Sequence, residues 1–196
     1  VKDLRTVFQR LIGSKLKVKA KKCQLFLKKL QFLGHTISAA GIEPIAVRCE
    51  AIQKIPPPKS LTQLRSFIQT CQYYRRFVKK FALIAAPLYE HTTKLAQPFL
   101  GWLPGSKADL AFQELKDALC SAPVLKMPNY SAPYFIYVDA SMLGFGAILE
   151  QDFSDSKDIL RRHPVHYASR RCTPRETKLE STHREASAVV WALHHV

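Results

Sequence analysis

Tyr134-Phe-Ile-Tyr-Val-Asp-Ala-Ser141, followed after two intervening residues by Gly144-Phe-Gly-Ala-Ile-Leu149, is the stretch on which the reading of this chain turns. A run of aromatic and β-branched residues predicts a strand buried on both faces. One carboxylate, Asp139, ends it. A carboxylate in such a place is costly unless a cation or hydrogen-bond donors meet it, so Asp139 is the first candidate for chemistry.

Working outward, residues 145–150 and 165–169 also read as strands. Residues 176–196 read as a helix with Leu179, Ala186, Val190 and Leu193 on its apolar stripe. Three antiparallel strands and one helix make a small α/β layer. The chain stops within that helix, which predicts an incomplete domain. Residues 152–158 read as an acidic surface loop. Upstream, Ser106-Lys-Ala-Asp109 and Ser60-Leu-Thr-Gln63 fit helix capping boxes. The helix after Ser60 carries Leu64, Phe67, Ile68, Cys71, Tyr74 and Val78 on one face, with Arg65, Arg76, Lys79 and Lys80 off it. Pro56-Pro-Pro58 reads as a stiff linker. Before it, residues 1–14 show a helical stripe and the basic/apolar alternation of 15–21 predicts a strand. Residues 24–27 and 30–37 suggest a hairpin turning near Lys28-Lys29, with Gly34 a bend and Gly41 and Pro44 ending the β segment.

Charge is distributed unevenly. Residues 1–80 hold 18 Lys and Arg against 3 Asp and Glu, whereas residues 81–196 hold 12 against 12, so the whole excess of +15 lies in the first part. That asymmetry points to a polyanion bound there, the alternative being a solvated basic face. The five cysteines are odd in number and scattered without a CxxC pair, which predicts reduced, mostly buried thiols. No apolar run approaches bilayer-spanning length and no secretory leader is visible, so an intracellular protein without a membrane partner is expected. The histidines His163, His166, His183, His194 and His195 have no zinc-ligand spacing.

Seven motifs occur in order: Phe32-Leu-Gly-His-Thr-Ile-Ser38 with Gly41-Ile42; Ser66-Phe67 with Tyr73-Tyr-Arg-Arg-Phe77; Ala111-Phe-Gln-Glu-Leu-Lys116; Pro123-Val-Leu125; Val138-Asp-Ala-Ser141; Gly144-Phe-Gly-Ala-Ile-Leu-Glu-Gln151; and Arg184-Glu-Ala-Ser-Ala-Val-Val-Trp-Ala-Leu193. Together they closely resemble the reverse transcriptase–ribonuclease H region of gypsy-like LTR retrotransposon Pol polyproteins, nearly end to end. Gln69 stands where that family usually has Gly.

The resemblance implies an α+β or α/β fold in four parts. Residues 1–45 would be the end of the palm with its β hairpin, 46–93 a helical thumb, 94–130 a connection and 131–196 the first part of a ribonuclease H-like domain. Phe32, Leu33, Gly34 and His35 resemble the primer grip. Arg65, Tyr73, Arg75, Arg76, Lys79 and Lys80 become nucleic-acid contacts; Tyr74, on the apolar stripe, is expected in the core. Asp139 and Glu185 match two carboxylates of a site that holds two Mg²⁺ (or Mn²⁺) ions, although a helix-surface carboxylate is the plainer reading of Glu185. The implied function is that of a fragment of an RNA-directed DNA polymerase with ribonuclease H activity. Its partners would be RNA–DNA hybrid, DNA template–primer and the rest of a Pol polyprotein, in cytoplasmic virus-like particles with passage to the nucleus. The polymerase Asp-Asp pair and two further ribonuclease H carboxylates lie outside this sequence, so the chain alone is expected to be inactive. The rival expectation is a non-catalytic, retroelement-derived nucleic-acid-binding protein.

Overall fold

In the computed structural model, which describes residues 2–92, 102–153 and 161–196, two three-stranded antiparallel sheets are held against one helical core. Helix α1 (Lys2–Gly13) comes first. The first sheet is β1 (Lys29–Phe32), β2 (His35–Ser38) and β3 (Gly41–Pro44), each paired with the next. Helices α2 (Ala46–Gln53), α3 (Leu61–Tyr73), α4 (Phe81–Ile84), α5 (Ala86–Glu90) and α6 (Lys107–Cys120) follow. The second sheet is the meander β4 (Phe135–Ala140), β5 (Gly144–Asp152) and β6 (Arg162–Arg171), and helix α7 (Ser181–His195) closes the chain.

Both capping boxes form. Ser60 Oγ accepts from the Gln63 amide at 3.2 Å and the Gln63 side chain accepts from the Lys59 amide at 2.7 Å, which starts α3. Ser106 does the same for α6 through the Asp109 amide. The expected α3 stripe is buried, and Phe67 meets Phe112 of α6 with ring centroids 4.3 Å apart. These helices share one core from Ile52 to Leu125, against which Tyr167 of β6 also packs.

A short seam joins the two sheets. Ile42 of β3 and Leu125 exchange both backbone hydrogen bonds, at 2.8 and 2.9 Å, and the next amide, Lys126, donates to Pro164 O of β6 at 3.0 Å. Gly41 makes the approach possible: its φ is +138°, and a Cβ there would lie 2.1 Å from Leu125 O. The second sheet is covered on both sides. Ile136, Val138 and Ala140 pack with Phe145, Ala147, Ala188, Trp191 and Ala192 on the α7 face, while α4 meets β6 on the other. Gln151 is fully buried and saturated, accepting from the Asn129 amide and donating to Asn129 O and Ala132 O.

Several expectations change. Residues 15–21 are exposed and run into a 3-10 turn at Ala20–Lys22; among the described residues no strand pairs with their backbone groups. The hairpin turns at Leu33-Gly34, not at Lys28-Lys29: both have positive φ (45° and 76°), as a tight two-residue turn demands. Gly41 and Pro44 bound a third strand instead of ending the sheet. Strand β4 is an edge among the described strands and is only half-buried. On α7 the inward face is Ala188, Trp191 and Ala192, leaving Ala186, Val190 and Leu193 outside. Small alanines let the helix approach the sheet and the indole fills the gap against Phe145, so side-chain size overrides the aliphatic stripe. Of the cysteines only Cys71 is buried. The expected acidic loop lies, beyond Phe153, outside the described residues.

Gly41→Ala is expected to lower stability by roughly 2–4 kcal/mol in urea unfolding, by strain and loss of the seam. Gly105→Ala, also at positive φ (+75°) but with nothing within 4 Å of the added Cβ, is expected to cost about 1 kcal/mol.

Candidate nucleic-acid interface and carboxylate site

The hairpin tip is clamped by two consecutive tyrosines. Helix α3 ends at Tyr73, and Arg75–Phe77 is a 3-10 turn, so the Tyr-Tyr-Arg-Arg cluster spans a helix end and is not carried on one helical face. The Tyr73 hydroxyl donates to Leu33 O, and the buried Tyr74 hydroxyl donates to Gly34 O at 3.0 Å. His35 lies among Tyr73, Tyr74 and Phe77 with centroids 5.4–5.6 Å away. Its Nδ1 bonds Leu33 O at 2.8 Å, and burial holds the ring's pKa below its ordinary value. A Cβ at Gly34 would crowd Tyr74 Oη at 3.1 Å, so glycine suits both the turn and the clamp. Phe32 and Leu33 stay exposed at the tip. The four hairpin residues and Tyr73 therefore form one unit, a contact that the sequence did not indicate, and Tyr74 is in the core.

The basic residues separate into three places. Arg75 is exposed beside β6 and Arg76 is half-buried, its guanidinium 5.7 Å from the Phe77 ring centroid. Arg65 lies on the outer side of α3 and donates to Thr92 O. Lys79 and Lys80 line a groove of about 310 Å³ with Tyr137, Asp139, Ile148 and Glu150. Lys80 has a left-handed backbone (φ 57°) at the start of α4, which is pinned to β6 by the Ala82 amide donating to Ser169 Oγ at 2.9 Å. From there its stem passes over Gly146, and its Nζ reaches Asp139 Oδ2 at 2.6 Å.

Asp139 is therefore not a buried carboxylate. It is paired with Lys80, and its side chain keeps 60% of its exposure because β4 is an edge. The pleat sends Asp139 to the face opposite Val138 and Ala140, hence away from the face that α7 covers. Glu185 is exposed in the first half of α7. No group of three or more His, Cys, Asp or Glu side chains with metal-binding geometry occurs among the described residues. One strong charge pair escaped the sequence reading. Glu176 holds Arg170 through two bonds of 2.6 and 2.7 Å, and Arg170 lies over the Phe145 ring at 4.4 Å. Its only sequence signal is Thr173-Pro-Arg-Glu176, a turn motif in which Glu176 also receives the Thr173 amide.

Comparison with known proteins resolves the family. Residues 105–196 match the family described as the RNase H-like domain found in reverse transcriptase. Residues 105–196 are an RNase H-like domain of reverse transcriptase. The chain as a whole is 33% identical over 195 residues to the retrovirus-related Pol polyprotein from transposon 412 and 30% identical over 201 residues to that from transposon gypsy, both of Drosophila melanogaster. It is 27% identical over 195 residues to the Tf2-3 polyprotein of Schizosaccharomyces pombe. These matches take in 100%, 98% and 100% of this chain but only 15%, 19% and 14% of the polyproteins. Among solved structures, the foamy viral protease-reverse transcriptase dRH in complex with ds DNA superposes with a TM-score of 0.77 at 25% identity, over 98% of this chain and 32% of that one. The same viral protein with RNA/DNA hybrid gives 0.76 at 24% identity, over 98% and 25%, a likeness of fold. In the RNase H-like domain Asp139 thus lies next to the last residue of the first strand, and Glu185 is on the helix that covers the sheet's other face. Among the described residues no helix is long and apolar enough to cross a membrane.

The Arg170 guanidinium holds the Glu176 carboxyl at about 2, below its ordinary 4.5. Because the folded-state pKa is depressed, the pair's stabilisation is complete above about pH 4.5 and is lost as pH falls toward 2. Glu176→Gln is expected to lower stability at pH 7 by roughly 1–3 kcal/mol and to flatten the acid limb of stability between those pH values, read by urea unfolding across pH.

Proposed function

We propose that this chain grips a template–primer or RNA–DNA duplex and that Asp139 and Glu185, set here toward opposite faces of the sheet, would be drawn together as two oxygen ligands of a ribonuclease H-type metal site. The observation that carries the grip is the joint between the hairpin tip and Tyr73-Tyr74, set in the half of the sequence that holds all the excess positive charge. Most of that charge is solvent-exposed, from Lys15 through Lys29 and again at Arg65, Arg75 and Lys79. Backbone phosphates are the ligand such charge suits, and no base-edge code is needed for it. The foamy viral relative's complex with ds DNA supports the same ligand class. In this reading residues 1–45 end a palm, 46–93 form a thumb and 94–130 a connection, whose part from residue 105 onward falls within the family match.

The donor set suits a hard cation. Asp139 is open to solvent and already holds one, the Lys80 ammonium, and carboxylate oxygens are what Mg²⁺ or Mn²⁺ prefers. When bound, such ions activate water and stabilise the leaving oxygen of a phosphodiester. Two carboxylates are fewer than a two-metal site uses, so hydrolysis needs further ligands than these. The Lys80 pair itself favours a second reading, a binding module in which Asp139 is permanently neutralised.

Three outcomes test the proposal. Affinity for an RNA–DNA hybrid, read by fluorescence anisotropy, is expected to fall with salt, and Arg75→Ala with Lys79→Ala to reduce the log–log slope by about 2. An unchanged slope and affinity would remove the thumb assignment. Mn²⁺ titration followed by electron paramagnetic resonance is expected to show weak binding that Asp139→Asn abolishes and Lys80→Met strengthens by up to about fivefold. Binding indifferent to Asp139→Asn selects the binding-module reading. Incubating this chain with hybrid and Mg²⁺ is expected to give no cleavage; cleavage would overturn the two-ligand account.

A further inference from the structure

Away from the groove and the clamp, Cys49 of α2 and Cys120 at the end of α6 meet across the helical core, 71 positions apart. Their contact is reciprocal. The Cys120 thiol donates to Cys49's own carbonyl at 3.3 Å, and the Cys49 thiol is directed at Leu119 O, 3.7 Å away in the residue before Cys120. Each sulfur thus lies on the backbone of the other's site. Both side chains line one open groove with Ile45, Val47 and Leu119, Cys49 half-buried and Cys120 exposed. The other three cysteines have no such partner: Cys71 is buried, with burial raising its thiol to about 12, and Cys23 and Cys172 face the carbonyls of Lys19 and Ser141.

We infer that Cys49 and Cys120 form a dithiol modification site, converted by peroxide or by a small-molecule disulfide to an intramolecular disulfide that ties α2 to α6. With peroxide, the exposed Cys120 thiolate attacks one oxygen, the O–O bond breaks, and a sulfenic acid and, after protonation, one water form. Cys49 then attacks that sulfur and loses its proton, and the S–O bond breaks to release the second water. Two thiols have lost two electrons and one peroxide has gained them. Burial and the neighbouring sulfur push the Cys49 thiol up, which suits it to the second, resolving step rather than the first. The cross-link would fix α2, and with it the adjoining β3, against the first helix of the RNase H-like domain, closing the loop that holds α3 to α5.

The test is titration of the folded chain with hydrogen peroxide, and separately with oxidised glutathione, followed by peptide mass spectrometry and thiol counting under native conditions. Expected are loss of two of the five thiols, a linked peptide pair containing Cys49 and Cys120, and a rise in the urea unfolding midpoint that dithiothreitol reverses. Cys49→Ser is expected to stop the cross-link and leave a sulfenic acid on Cys120 that a dimedone probe captures. Cys23→Ser with Cys172→Ser is expected to leave the cross-link intact. Oxidation at Cys23 or Cys172 before Cys120, retention of all five thiols, or a mixed adduct on Cys120 that never resolves to Cys49 would each overturn the inference.

Discussion

The seam between β3 and β6 is the constraint on which the architecture rests. Three backbone hydrogen bonds, two between Ile42 and Leu125 and one from Lys126 to Pro164, carry a single extended segment past both sheets. Each contributes only about 1 kcal/mol net, so their weight lies in geometry rather than in energy. They fix the distance between the hairpin sheet and the RNase H-like sheet, with the fully buried Leu125 side chain anchoring the segment in the helical core. Everything further out inherits its position from this: the hairpin tip is presented to Tyr73 and Tyr74, and α4 is presented to β6.

That inheritance explains why the tip can be exposed and still ordered. Phe32 and Leu33 present apolar surface to solvent, a costly arrangement for a two-residue turn with nothing beneath it. Here the turn's carbonyls are taken by two phenol hydroxyls and its histidine is set in an aromatic nest. A surface held rigid from below while bare above is what contact with a large ligand requires, because little conformational entropy remains to be lost on binding.

How much of this was legible in the sequence depends on which force sets each feature. Helix starts were legible because caps are local: Ser60 and Ser106 act on amides three residues away. The strands of the meander were legible from β-branched content, and the clamp's two halves from the motifs around Gly34 and Tyr73. The face of α7 was not, because periodicity counts aliphatic residues while the sheet selected two alanines and an indole by shape. The false strand at residues 15–21 shows the complementary failure, an alternation with no partner among the described strands. At Asp139 the residue was found from its strand, but its partner was not, since Lys80 reaches it only through a left-handed backbone and over a glycine distant in sequence.

The Lys80–Asp139 pair couples the two proposed roles of the chain. With side chains 43% and 60% exposed, it contributes little to stability, on the order of 0–1 kcal/mol, and salt screens it further. Its weakness makes it exchangeable. A phosphate entering the groove lined by Lys79 and Lys80 offers the ammonium another anion, and whatever draws Lys80 away leaves Asp139 free for a different cation. Duplex binding and metal binding would then favour one another through a single side chain, a coupling bounded by the small energy of the pair it breaks.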